Sequence, residues 1–425
     1  MAESTSETQV QAVSRSKALT SPGYFVPFLT VAILFLMFGF ITTLNMALVP
    51  DLRSIFNIGY GWAMFAELAF FFAYFVFSSP SSKLIETIGY KKTMVVSLFI
   101  QVAGCLLFVP AAKMVNFWIF LTAVFIVGAG VTALQTSANP YVAILGPEAS
   151  APVRLTLAQA FNSFGALVAP LVGGAFFLSV SDTTNKAAIA NGVRGPYIAI
   201  AAGLFVLGLA VIFSHLPPIT ESKEFRPGSE SGALATRSIW SFRHTVLGAV
   251  GIFFYVGVEV GLASIATNYF KLQGMSSLKT ASFLVSLYWG GALVGRLLGS
   301  LILTKVSSGK LLGLFGFVAS ALVVVSMVTS GQVAIGALVL CGFFNSIMFP
   351  NIFALGIAGL GPMTSKGSGL IMTAIVGGAV IPTALGALAD RIGIQGAFVL
   401  PLICYLYITW YGLWGSKPVK TALSS

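Results

Sequence analysis

Charge is what this chain lacks. Of its 425 residues 12 are acidic and 23 basic, 8% in all, against 57% hydrophobic. A soluble protein carries about 25% charged residues, so a water-exposed surface cannot be built from this set. Cysteine is down to three residues and histidine to two. Cys105, Cys341 and Cys404 fall in apolar stretches at no metal-binding spacing, and an odd number gives no disulfide framework. His215 and His244 stand at the ends of such stretches without a second ligand, so no metal site is expected. No nucleophile–base pair and no phosphate-binding loop is present, which argues against a membrane enzyme. The net charge of +11 does not point to nucleic acid, because the basic residues are dealt into short loops rather than gathered in one patch.

What the chain has instead is long apolar runs, with a mean hydropathy of +0.95. The hydrocarbon core of a bilayer is about 30 Å thick, and about 20 apolar residues cross it as a helix. Twelve such spans are expected, near 24–49, 61–80, 93–110, 115–140, 154–179, 196–215, 244–270, 280–303, 310–328, 332–358, 367–388 and 394–414. The longest polar connector, Leu216 to Arg243, separates the sixth from the seventh. The predicted fold class is an all-α membrane protein with twelve transmembrane helices in two pseudo-symmetric six-helix halves. Its expected organisation is an N-terminal tail over 1–23, halves over 24–215 and 244–415, a linker over 216–243 and a C-terminal tail over 416–425. The first 20 residues are polar and lack an apolar core, so they read as a tail rather than a cleaved signal peptide. Fifteen Lys and Arg then fall on the N-terminal side of the membrane and seven on the other, which places both termini in the cytoplasm.

The halves repeat. Ala138-Asn139-Pro140-Tyr141 leads to Leu145-Gly146-Pro147, and Phe349-Pro350-Asn351 leads to Leu360-Gly361-Pro362. Pro140 and Pro350 lie 210 residues apart, Pro170 and Pro382 212 apart. Two matches at nearly one offset argue for duplicated six-helix units, the pattern of transporters that rock around a midplane site.

Few polar groups lie inside the spans, and burial makes each expensive. Gln135 and Asn139 are four residues apart and Gln159 and Asn162 three apart, so each pair shares a helix face. Asn45, Asn268, Asn345 and Asn351 add further amides, and Glu67, Glu259 and Arg296 are the ionisable groups at depth. Side-chain amides both donate and accept, which suits a ligand rich in hydroxyls such as a sugar. Phe161, Phe164, Tyr255, Tyr288 and Trp289 are placed to cover the apolar face of a pyranose. The competing use of these amides is helix–helix hydrogen bonding. The expected substrate-binding set is Gln135, Asn139, Gln159, Asn162, Asn45, Glu259, Asn268, Asn345 and Asn351, with Glu259 and Glu67 as coupling-ion candidates. For Arg296, pairing with a carboxylate, lining the cavity and a structural role stand open.

At these residues the chain resembles the major facilitator superfamily, and within it the fucose–galactose–glucose:proton symporter family. The resemblance rests on Gln135-Thr136-Ser137-Ala138-Asn139-Pro140-Tyr141, Leu157-Ala158-Gln159-Ala160-Phe161-Asn162, Tyr255-Val256-Gly257-Val258-Glu259 and Phe344-Asn345-Ser346-Ile347-Met348-Phe349-Pro350. It implies two six-helix halves importing hexoses or 6-deoxyhexoses on a cation gradient. The superfamily's loop motif between spans two and three is degenerate, with Gly89, Tyr90, Lys91 and Lys92 kept and Glu86 where an Asp is usual. Met46 and Gln135 stand where the family's L-fucose symporter carries carboxylates, whereas the glucose/galactose members look closer at Gln135 and Glu259. The implied activity is import of glucose or galactose, with fucose less favoured, by alternating access. The coupling ion is a proton or sodium and no other cofactor is expected. Uncoupled hexose uniport is the alternative, and drug export is disfavoured by the paired amides. The expected partners are a small-molecule sugar and the lipid bilayer, with no nucleic acid, and the protein is expected to work as a monomer in a bacterial inner membrane.

Overall fold

A computed structural model describes residues 19–20, 23–47, 60–177, 186–217, 238–275 and 278–418, without the side chains of 45–47, 60–67, 170–177, 186–193, 278–279 and 282. Almost every described residue is helical. The helices are α1 (Phe25–Ala47), α2 (60–88), α3 (90–114), α4 (Phe117–Ile144), α5 (Ala151–Phe177) and α6 (Lys186–Phe213) in the first half. In the second they are α7 (Arg243–Leu272), α8 (Leu278–Leu303), α9 (Ser308–Val328), α10 (Gly331–Asn345 continued by Met348–Ile357), α11 (364–392) and α12 (394–415). Twelve helices therefore stand among the described residues, the number of spans hydropathy predicts, and nine apolar stretches there are long enough to cross a membrane. The expected linker falls mostly on 218–237, outside them.

Two pairs of adjacent spans meet more abruptly than the sequence suggests. The α2 and α3 helices run into one another across Gly89, and α11 and α12 across Gly393. The φ values of 81° and 78° at these residues lie in the left-handed region that glycine enters without steric penalty. Elsewhere local chemistry marks the ends. Asn116 Oδ1 accepts the amides of Trp118 and Ile119 at 3.0 and 3.1 Å and caps α4. Lys91 Nζ donates to the carbonyls of Ile212 and Ser214, both at 2.8 Å, and closes the end of α6.

The packing repeats with the sequence. Helix α1 lies on α5 as α7 lies on α11, and the α2–α3 unit packs on α4 and α6 as α8 and α9 pack on α10 and α9 on α12. The first of these contacts is close because side chains are missing: a Cβ on Gly165 would stand 2.0 Å from Leu36 O, and one on Gly377 would stand 2.1 Å from Phe253 O. Small residues that let backbones approach are the usual glue of membrane helices. Between the halves the largest contacts are α5 with α8 and α2 with α11, flanked by α5 on α10 and α4 on α11. They frame the shared face on which the polar residues gather. Large apolar side chains such as Phe72, Phe205, Phe283 and Phe317 stay exposed on the outer surface, as lipid-facing positions do.

Candidate functional site

The prolines that reveal the repeat also open its backbone. Proline has no amide hydrogen, so the carbonyl four residues earlier in a helix loses its partner. In the first half Pro140 frees Thr136 O, which accepts from Ser368 Oγ of α11 at 2.8 Å. In the second Pro350 frees Ser346 O, which accepts from Arg296 Nε at 3.1 Å. Equivalent vacancies are thus filled by different donors, one across the halves and one within.

Arg296 is the centre of the larger constellation and is 7% exposed. Its Nη1 crosses to α5, donating to Gln159 O at 3.2 Å and to Ser163 Oγ at short range. Its Nη2 faces Glu259 Oε1 at 3.9 Å, an ion pair outside hydrogen-bond distance. Glu259 Oε1 accepts instead from Tyr255 OH at 2.6 Å, one turn earlier on α7. Tyr288 OH donates to the Glu259 carbonyl at 3.2 Å and accepts from Asn345 Nδ2 at 2.7 Å, and Asn345 Oδ1 accepts from Tyr405 OH at 2.7 Å. Four helices of the second half and α5 of the first are therefore tied through one polar network.

The predicted residues separate on this map. Glu259, Gln159 and Asn345 come together around Arg296 and Tyr288. The side chain of Gln159 is 3% exposed and makes no hydrogen bond among the described residues. In the first half Gln135 Nε2 donates to Tyr74 OH of α2 at short range. Asn139 Nδ2 returns to Gln135 O at 2.9 Å, and its buried Oδ1 has no partner among the described residues. Asn162 Nδ2 reaches Phe35 O of α1 at 3.4 Å. Two predicted members lie elsewhere. Asn351 is fully buried and bonds Ile347 O at 2.6 Å and Ser308 Oγ of α9, so it joins helices near the end of α10. Asn268 is exposed, nine residues beyond Glu259 on α7. The side chains of Asn45 and Glu67 lie outside the described residues. Of the predicted aromatics, Tyr255 and Tyr288 are buried with their hydroxyls engaged, Phe161 is half-buried, and Phe164 and Trp289 are exposed.

Sequence reasoning missed Ser163, Ser346, Tyr74 and Tyr405, and left Arg296 unassigned. The signal for Ser346 was present, since it precedes Pro350 by four residues. Arg154 was read only as an orientation charge. It is fully buried, and its donors reach the carbonyls of Val142, Ala143, Gly146, Pro147 and Leu19 and the Ser150 hydroxyl, closing the end of α4.

One end of the shared face is sealed. Glu86 Oε1 accepts from Ser365 Oγ at 3.2 Å, and Glu148 Oε1 accepts from the Gly359 amide at 3.0 Å. Both bonds join the first half to the second. A cavity of about 650 Å³ opens there, lined by Glu148, Lys305, Ser307 and Thr364, and it contains none of the predicted site residues.

Two repeated halves sealed at one end, with polar groups buried on their common face, form the architecture of a multi-pass membrane transporter. The chain belongs to the Major Facilitator Superfamily, whose model matches residues 30–381, and it is a transporter rather than an enzyme. The glucose/galactose transporter of Brucella abortus is 44% identical, over 91% of this chain and 93% of its own. The L-fucose-proton symporter of Escherichia coli is 32% identical over 96% of this chain and 97% of its own. The crystal structure of the Major Facilitator Superfamily transporter FucP in the outward conformation superposes with a TM-score of 0.83 at 30% identity, covering 92% of this chain and 98% of that one.

Proposed function

We propose that this chain imports a hexose, glucose or galactose, by alternating access coupled to a cation gradient. The observation that carries the reading is the network around Glu259. It sets a carboxylate and two tyrosine hydroxyls beside a guanidinium that reaches the Gln159 carbonyl of the other half. The Brucella relative named as a glucose/galactose transporter supports the substrate class. Gln135 and Asn139 add amide groups from the first half, and Glu259 either accepts a sugar hydroxyl or carries the coupling proton. If the ion is sodium, oxygens of the same groups would hold it, hard ligands suited to a hard cation. The protein works as a monomer in the inner membrane with both termini in the cytoplasm, so the sealed end is the cytoplasmic one. The halves 24–215 and 244–415 rock about the site, joined by the linker 216–243.

The test is uptake of radiolabelled glucose into proteoliposomes, with proton and sodium gradients imposed separately and galactose, fucose and fructose as competitors. Accumulation driven by one gradient and lost in Glu259→Gln supports coupled import through that carboxylate. Equilibration without accumulation under either gradient means uniport, a reading favoured by the neutral Gln135–Tyr74 pair. Absence of hexose flux overturns the proposal.

A further inference from the structure

Arg296 and Glu259 form an incomplete pair. A guanidinium facing a carboxylate closes to about 2.7–2.9 Å when nothing holds it back. Here the gap is 3.9 Å, and no hydrogen bond from Nη2 bridges it. The reason is visible on the other side of the guanidinium. Its Nη1 is held by Gln159 O and Ser163 Oγ, both on α5, and its Nε by Ser346 O within its own half. The first half and Glu259 therefore compete for one cation.

The geometry points to Arg296 as an exchange latch, a positioning residue that bonds α5 while the α5–α8 seam is closed and moves onto Glu259 when it opens. Three observations carry this. Arg296 lies seven residues before the end of α8, about 10 Å along the helix from the sealed face, so its bonds to α5 belong to that seal. The α5–α8 contact is one of the two largest that join the halves, and it must part on that side for the site to open there. A buried guanidinium that loses two acceptors at once pays a large penalty unless another acceptor is at hand. Glu259 Oε1 stands about 1 Å beyond bonding distance, within reach of a small side-chain movement. The Ser346 carbonyl, vacant because of Pro350, holds Nε in either arrangement and serves as the pivot.

The latch makes predictions of opposite sign. Ser163→Ala weakens the hold of α5 and favours the open seam. Glu259→Gln removes the charged alternative and favours the closed one. A structural role for Arg296 would let both changes loosen the protein alike. The inference rests on alternating access between the halves and not on the identity of the sugar.

The experiment uses the full chain in lipid nanodiscs. Spin labels go on Lys83→Cys and Lys305→Cys, exposed positions in opposite halves at the sealed end. The native cysteines are buried. Distances are read by double electron–electron resonance without sugar. Ser163→Ala should enrich the long-distance population about tenfold, the worth of one hydrogen bond to a charged group. Ser163→Thr, which keeps the hydroxyl, should restore the starting distribution, and Glu259→Gln should deplete the long-distance population. Shifts of Ser163→Ala and Glu259→Gln in the same direction, or no shift in either, would overturn the latch. Hexose flux plays no part in the readout, so failure of the sugar reading is recorded by uptake alone.

Discussion

Arg296 Nε donates to Ser346 O at 3.1 Å, and that carbonyl is free because Pro350 brings no amide to it. A sequence feature that weakens a helix thereby creates the acceptor that positions the cation nearest Glu259. Replacing Pro350 by alanine supplies an amide hydrogen that competes for Ser346 O. The expected result is a fold retained with Arg296 less well fixed. Uptake should fall by about tenfold, the worth of about 1.4 kcal/mol, while the thermal midpoint stays level or rises. A thermal midpoint that falls together with uptake would assign Pro350 to packing instead.

Gly369 on α11 faces α2 across the sealed end. A Cβ there would stand 2.8 Å from Ser82 Cβ and 3.2 Å from Ser78 O. Overpacking of this kind costs about 1–3 kcal/mol, and the strain exists only while the halves are closed on this side. Gly369→Ala should shift the spin-label distance across this face toward the open state by about tenfold. An unchanged distance distribution would show that α2 yields at no cost.

Arg154 fills the end of α4 with donors from all three of its nitrogens. Arg154→Ala strands buried carbonyls at Val142 and Ala143, and each buried acceptor left without a donor costs about 1–3 kcal/mol. The thermal midpoint of the purified protein should drop by several degrees. Arg154→Lys should recover little of it, because one ammonium cannot span acceptors arranged around a planar fork. Full recovery by lysine would mean that charge and not geometry is what this position supplies.

Tyr74 accepts from the amide of Gln135 between α2 and α4. Tyr74→Phe leaves that amide donor buried and unmet, a loss of about 1 kcal/mol. In Tyr74→Phe/Gln135→Leu both partners are apolar, and the double change should cost less than the sum of the single ones. The non-additivity is read from the thermal midpoints of the three variants. Additive midpoints would show that Gln135 finds another partner as soon as Tyr74 is gone.

Much of the fold was legible in the chain itself. Apolar runs of bilayer length define the spans, because backbone in lipid must satisfy its own hydrogen bonds and a helix does so within one segment. The repeat was legible because Pro140 and Pro350 disturb the same place in each half. The meeting of α2 and α3 at Gly89 was not, since hydropathy sees the polar stretch between them but not the positive φ that lets the helices run together. Nor was the sorting of the amides. Asn345, Asn351 and Asn268 are the same residue type within predicted spans, yet one lies between two tyrosines, one is fixed to α9 and one is exposed. Tyr255, Tyr288 and Tyr405 entered the network because their helices point them at it.

The amino-acid sequence by itself determined that this protein lives in a bilayer, crosses it twelve times in two matching halves and keeps a few polar groups at depth. These follow from composition and periodicity, which act along the chain. Which groups meet was decided only by the tertiary structure. A helix presents its side chains around a full circle, and only packing against its neighbours selects the face that turns inward. The 3.9 Å between Arg296 and Glu259 is set in that way, by α5 holding the guanidinium from the opposite half.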